Sequence, residues 1–158
     1  MPSRSSSRFT PRLLRVSPLT LLLMLAACGG SSDPDASAQC VASLPTSCTP
    51  DIDPTFDSLF TNVISQRCGT SDSGNTCHGK NGNPKSSLKL TDAATAYQAL
   101  LGQNGAPARV IPGDPHCSPL IERLESDDPA FRMPYGDEKK LPAGLRCAFQ
   151  QWIEKGAA

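Results

Sequence analysis

The stretch CGTSDSGNTCH, residues 68–78, holds two cysteines and a histidine that directly follows the second of them. A c-type haem-attachment motif ends in the same way, but it places only two residues between its cysteines. Here eight residues separate Cys68 from Cys77, and none of them is a large apolar residue. Two interpretations are open: a widened haem site with His78 below the iron, or a surface loop closed by a Cys68–Cys77 disulfide. Spacing alone favours the disulfide, because a haem site of this width has to order a longer loop than the usual two-residue motif, at a higher cost in conformational entropy.

The N-terminus has the charge pattern of an export signal. A Ser-rich leader with four arginines precedes the apolar run Leu19–Ala27, which is too short for a bilayer span of about 20 apolar residues. The run ends in Leu25-Ala26-Ala27-Cys28, which resembles a bacterial lipobox. We therefore expect residues 1–27 to be a lipoprotein signal peptide and Cys28 to be lipidated, so that acyl chains attach the protein to the membrane. Because Gly29 follows rather than aspartate, the resemblance implies the outer membrane, facing the periplasm or the cell surface.

The remaining chain has the size and charge of one small acidic domain. Removal of residues 1–27 leaves 131 of the 158 residues, with 11 Lys and Arg against 15 Asp and Glu, a net charge of −4. A chain of this size holds one core, and its charge makes nucleic acid an improbable partner. We predict a flexible tether and a Cys-containing arm over residues 28–54, followed by a folded domain over residues 55–158.

Apolar spacing predicts a mostly α domain of four helices joined by long loops, with almost no strand pattern. The first helix is predicted over Pro54–Cys68 with Asp53 as its cap, and its last residue is the first cysteine of the candidate site. The second helix is expected to begin at Thr91 and the last to span about Pro142–Lys155. The third is expected to be capped by Ser118 or, one turn earlier, by Asp114. Long loops in a small domain wrap a ligand or form a binding surface; the alternative is that disulfides hold them.

Met133 is the candidate for a second iron ligand. It is the only methionine left once Met1 and Met24 leave with the signal peptide, and proline follows it in an irregular loop. Iron in electron-transfer haem proteins commonly takes His and Met as axial ligands; the alternative is that Met133 fills a gap under its loop. His116, the only other histidine, is interpreted as an exposed loop residue, with a substitute haem ligand and a Cys/His zinc site as lesser alternatives.

Hydrolytic chemistry has no signature in this sequence. It contains no nucleophile-elbow pattern, no HExxH motif and no Gly-rich phosphate loop. The acidic pairs Asp127-Asp128 and Asp137-Glu138 lack the spacing of a calcium loop and are interpreted as solvated surface. We therefore do not expect an enzyme.

Several short stretches, taken together, resemble one family. In chain order they are Cys77-His78, Leu88-Lys89-Leu90, Val110-Ile111-Pro112-Gly113-Asp114-Pro115, Arg132-Met133-Pro134 and Gln151-Trp152-Ile153-Glu154-Lys155-Gly156-Ala157. They are similar to the small planctomycete-type cytochrome c-like domains found in many exported bacterial lipoproteins. The resemblance extends over roughly residues 55–157 and implies a mostly α, cytochrome c-like helical domain with long loops, stabilised here by disulfides.

Carried over by position, this resemblance also implies a function. Cys68 and Cys77 would be the thioether cysteines of one haem c, with His78 as the proximal and Met133 as the distal ligand. The protein would pass single electrons between other redox proteins of the cell envelope.

The alternative is a haem-free, disulfide-stapled lipoprotein that keeps the cytochrome c-like fold and acts as a binding or structural module. Cys117 and Cys147, which lie on or beside the third and fourth helices, are then interpreted as one disulfide. The other bridges would be Cys68–Cys77 and Cys40–Cys48, although the six cysteines other than Cys28 allow 15 pairings. Cys40 and Cys48 would in either case tie the arm down, to each other or to the body.

Overall fold

The computed structural model describes residues 40–69, 77–80, 88–135 and 139–158. The predicted signal peptide over residues 1–27, the lipidation site Cys28 and the tether up to residue 39 lie outside the described residues. So do Asp137 and Glu138 of the second acidic pair. Among the described residues, no helix is both long enough and apolar enough to cross a membrane.

The first helix changes its winding part-way. It begins as α1 (Phe56–Leu59) and continues as a π-helical segment (Phe60–Gly69) that ends one residue after Cys68. Thr55 is the N-cap, since its hydroxyl accepts a hydrogen bond from the Ser58 N–H at 3.4 Å. The predicted start at Pro54 with Asp53 as cap is therefore wrong by two residues. π-Helical turns are rare and are found frequently at functional sites.

Three further helices follow in the described part of the chain: α2 (Ala93–Leu100), α3 (Pro119–Glu125) and α4 (Ala143–Glu154). The carboxylate of Asp92 caps α2 by accepting a hydrogen bond from the Thr95 N–H at 2.9 Å. The described residues contain no strand, so the prediction of a mostly α, disulfide-stabilised domain with long loops is confirmed.

The core is centred on Trp152 of α4, whose side chain is 1% exposed. Its ring lies 5.6 Å from that of Phe56 in α1, and Phe56 lies 5.0 Å edge-on from Tyr97 in α2. Burial of a large apolar side chain contributes about 1.5–3 kcal/mol, so this aromatic group fixes three helices against one another. The apolar positions that predicted the helices supply the rest of the core, among them Leu59, Val63, Ile64, Leu100, Ile121, Leu124, Phe149 and Ile153.

The C-terminal residues fold back onto this aromatic group. The Trp152 Nε1–H donates to the Ala158 carbonyl at 3.0 Å, and the Tyr97 hydroxyl donates to the Ala157 carbonyl at 3.1 Å. Gly156 permits the reversal because its φ is +94°, in the left-handed region that favours glycine. The residues that carried the family resemblance at this end of the chain therefore have a structural role.

Two disulfides fasten the arm to the body: Cys40–Cys117 and Cys48–Cys147. The pairings Cys117–Cys147 and Cys40–Cys48 are therefore wrong. The arm runs back over the α4 side of the domain, which brings each of its cysteines to a distant partner rather than to the other.

Backbone contacts show the path of the arm. The Val41 N–H donates to the His116 carbonyl at 2.8 Å, and the Asp51 N–H donates to the Gly144 carbonyl at 3.2 Å. Leu44 is the arm's buried apolar residue, at 8% exposure. Val41 and Ile52 are half-buried against the core as well, so apolar contacts and the two disulfides together attach the arm.

Candidate functional site

The two ends of the widened motif meet through a backbone contact. The His78 N–H donates a hydrogen bond to the Cys68 carbonyl at 3.0 Å, so residues 68 and 78 are neighbours although residues 70–76 lie outside the described part. Cys68 is half-buried and Cys77 is exposed. No disulfide joins these two cysteines, so the Cys68–Cys77 bridge of the haem-free interpretation is not formed in this structure.

The imidazole of His78 is held in one orientation by the segment that follows the site. Its Nδ1 lies 3.2 Å from the Leu88 carbonyl oxygen. A carbonyl can only accept, so Nδ1 carries the proton and donates. Nε2 then has its lone pair in the plane of the ring, which is the form in which a neutral imidazole binds a metal. The Leu90 N–H donates to the His78 carbonyl at 2.9 Å and fixes the backbone of the same residue.

The surroundings keep this imidazole neutral. Burial lowers the pKa of His78 below its ordinary value near 6.5. The positive charges of Lys89 and Arg109 lower it further, while the hydrogen bond to Leu88 acts in the opposite direction. At neutral pH the ring is therefore uncharged and able to act as a ligand.

A glycine permits the close packing beneath the site. Gly69 is buried, and a Cβ added there would collide with the carbonyl oxygen of Leu90. The end of the π-helical segment therefore packs directly on the backbone whose N–H binds His78. Cys68, His78 and Leu90 form one contiguous unit because residue 69 has no side chain.

Met133 is held by a different element. Its N–H donates to the Arg123 carbonyl of α3 at 3.0 Å, and its side chain is half-buried. The Arg123 guanidinium lies 3.8 Å from the centroid of the Phe131 ring and donates to the Phe131 carbonyl at 3.3 Å, which stiffens the same loop. The structure thus positions Met133 through α3, separately from the unit around His78.

His116 binds the arm through both its side chain and its backbone. Its Nδ1 donates to the Val41 carbonyl at 2.8 Å while its own carbonyl accepts from the Val41 N–H. This places it beside the Cys40–Cys117 disulfide, away from the contacts that hold His78. The described residues contain no group of three or more His, Cys, Asp or Glu side chains that could hold a metal ion.

One protein-family model matches the part of the chain that contains His78. Residues 75–136 match the model of the family described as Planctomycete cytochrome C. This segment is similar to that family. The match confirms the resemblance for a segment that includes Cys77, His78 and Met133, and it begins seven residues after Cys68. None of the curated proteins and none of the solved structures compared with the chain matches it.

Some residues of the site carried no signal in the sequence. Leu88 acts through its backbone carbonyl, which every residue type possesses. In the sequence, Leu88-Lys89-Leu90 stands out only as one stretch of the family pattern. Arg109 affects His78 from a loop 31 residues further along the chain, and nothing in its immediate sequence indicates this.

Proposed function

We propose that this cytochrome c-like domain carries one haem c and passes single electrons in the cell envelope. Cys68 and Cys77 would hold the porphyrin, His78 would be the proximal ligand and Met133 the distal ligand. A bound haem would supply the one-electron chemistry. The protein would be an electron carrier rather than an enzyme.

The observation that carries the proposal is the fixed tautomer of His78. Donation from Nδ1 to Leu88 orients the ring and leaves Nε2 as the donor atom, an arrangement that metal-ligating histidines share. The lowered pKa of the same ring means that no proton competes for that atom at neutral pH. The donor set of a neutral imidazole, two cysteines at the ends of one loop and a thioether fits haem better than it fits zinc.

The position of the cysteines also supports the proposal. Four cysteines are used in the disulfides of the arm, and these do not include Cys68 or Cys77. The backbone bond from His78 to Cys68 brings the two ends of the loop together in spite of the eight residues between the cysteines.

A haem stain and a visible spectrum test this function. The full chain is produced together with a cytochrome c maturation system; we expect a Soret band, a stain that survives denaturation, and a mass larger by one haem. The double variant Cys68→Ser/Cys77→Ser should lose all three signals. The matched control Cys40→Ser/Cys117→Ser, which removes a disulfide elsewhere, should keep them. A matured wild-type chain with no covalent haem would refute the proposal.

We further propose that the protein is a lipoprotein, anchored in the outer membrane through Cys28 and facing the periplasm or the cell surface. Its membrane contact would be the lipid alone, and its partners would be other envelope redox proteins. Labelling with a radioactive fatty acid tests the anchor: wild type should take up label and Cys28→Ala should not.

One observation favours the second candidate, a haem-free module for binding or structure. The family match begins at residue 75, so Cys68 lies before it, and the loop between the cysteines is wider than a haem motif requires. Under this alternative the matured chain has no Soret band and the mass of the bare oxidised polypeptide.

A further inference from the structure

The charge of the chain is distributed unevenly. Between residues 60 and 113 there are five Lys and Arg against two Asp and Glu, whereas the rest of the chain after residue 27 has six against thirteen. The segment that contains Cys68, Cys77 and His78 thus has a charge of +3, whereas residues 28–158 as a whole have a net charge of −4. The net charge alone, which predicted an acidic domain, does not show that basic and acidic residues are concentrated in different parts of the chain.

Four of these cations lie around Cys77 and His78, and we call them the site-side cations: Arg67, Lys80, Lys89 and Arg109. Lys80 is exposed and follows His78 by two residues, and Arg67 is exposed and directly precedes Cys68. Lys89 is placed by donating from Nζ to the Gly79 carbonyl at 3.5 Å. Arg109 is held by backbone bonds from its N–H to Leu100 and from Leu120 to its carbonyl, both 2.8 Å.

One of these cations is built into the backbone that holds His78. Lys89 lies between Leu88, whose carbonyl accepts from the His78 ring, and Leu90, whose N–H donates to the His78 carbonyl. The ion pairs among the described residues, Lys140–Asp127 and Arg146–Glu125, involve cations of the acidic remainder instead. Asp92 is the one described acid between residues 60 and 113, and its carboxylate is engaged in capping α2.

We infer that the side of the domain around Cys77 and His78 is a basic docking surface for a redox protein that presents carboxylates. The inference rests on the proposed function, because it takes this side as the place where electrons leave. A local positive field attracts an acidic partner and orients it toward the site, even though the two proteins carry the same sign of net charge.

The first test needs no haem and reads the local field through the exposed thiol of Cys77. The full chain is treated with an anionic disulfide, 5,5′-dithiobis(2-nitrobenzoate), or a dicationic one, cystamine, and peptide mapping measures the modification of Cys77. The ratio of the two rates cancels the thiolate fraction. Raising the ionic strength from ~0.01 M to ~1 M shortens the Debye length from ~30 Å to ~3 Å, and the anionic-to-cationic ratio should fall by about tenfold.

Variants assign this effect to the site-side cations. Lys80→Gln and Arg109→Gln should each flatten the salt dependence, whereas Lys155→Gln, on the exposed end of α4, should leave it unchanged. A ratio that rises with salt, as the net charge of −4 on residues 28–158 alone would give, or one that does not respond to salt, overturns the inference.

The second test concerns the class of partner. The haem-loaded full chain is reduced with an acidic [2Fe–2S] ferredoxin; the rate should fall with salt and should fall again in Lys80→Glu. Binding through the site-side cations to phosphatidylglycerol vesicles, with a ferredoxin rate that ignores salt, would overturn the assignment to a protein partner. If no haem is attached, the proposed function fails, but the thiol test still decides whether the surface is basic.

Discussion

His78 donates from Nδ1 to the carbonyl oxygen of Leu88, ten residues further along the chain, over 3.2 Å. This single contact selects the tautomer, orients the ring and keeps the donor atom Nε2 on the opposite edge. Leu90, two residues beyond Leu88, binds the backbone of the same histidine. The candidate ligand is therefore positioned by a segment that follows the motif.

The lowered pKa of His78 predicts a pH dependence of folding. In the unfolded chain the His78 ring is protonated near pH 6.5, whereas in the folded chain burial lowers its pKa, so that protonation requires a lower pH. The haem-free chain should therefore lose stability as the pH falls from about 7.5 to about 5. Urea unfolding at both pH values measures the loss.

A pair of histidine variants separates this effect from others. His78→Asn should remove most of the difference in unfolding free energy between the two pH values, and His116→Asn should retain it. The backbone N–H and the hydroxyl of Thr95 lower the pKa of Asp92, and Lys140 lowers that of Asp127, so the contributions of these two carboxylates disappear only below about pH 4. Equal pH dependence in wild type and His78→Asn would contradict the prediction.

Gly69→Ala should destabilise the domain, because the new Cβ would overlap the carbonyl of Leu90. Overpacking of this kind costs about 1–3 kcal/mol of unfolding free energy. The exposed neighbour Arg67 provides a control, since Arg67→Ala should change stability by no more than about 0.5 kcal/mol. Urea unfolding measures both variants, and equal stability of Gly69→Ala and wild type would show that the two segments do not pack as described.

The disulfide pattern is directly measurable. Non-reducing peptide mapping should recover the Cys40–Cys117 and Cys48–Cys147 pairs, and a peptide that links Cys117 to Cys147 would contradict the fold of the arm. Replacing both cysteines of either pair with alanine should lower the unfolding free energy by about 2–5 kcal/mol, since each bridge closes a long loop.

Met133→Leu tests the distal position in the matured protein. We expect covalent haem to remain, because the two cysteines are intact, while the reduction potential falls, because a methionine ligand raises it. Tyr135→Phe, an exposed neighbour in the same loop, should leave the potential unchanged. A potential that does not respond to Met133→Leu would remove this residue from the ligand set.

The sequence predicted the features that follow from apolar periodicity, and it missed those that depend on contacts between residues far apart in the chain. The helix α4 was predicted within about one residue at each end because Leu145, Phe149, Trp152 and Ile153 repeat with helical spacing and a glycine follows. Apolar periodicity indicates which face of a segment is buried, and the burial of apolar surface is the main driving force of folding.

The missed features depend on partners that lie far apart in the chain. The π-helical winding of residues 60–69 keeps the buried face of Val63 and Ile64, so the apolar pattern did not distinguish it from an α-helix. Without Cys28 the cysteine count is even, but parity does not say that Cys40 pairs across 77 residues. The Leu88 carbonyl has no side-chain chemistry that a sequence displays.

The Cys40–Cys117 bond has a mechanical consequence. Tension that arrives along the backbone from the residues before Cys40 passes through a covalent link directly into the turn ahead of α3. The thirteen residues from Val41 to Asp53 do not carry that force. Tension on the chain before Cys40 therefore does not break the hydrogen bonds between these residues and the body one after another.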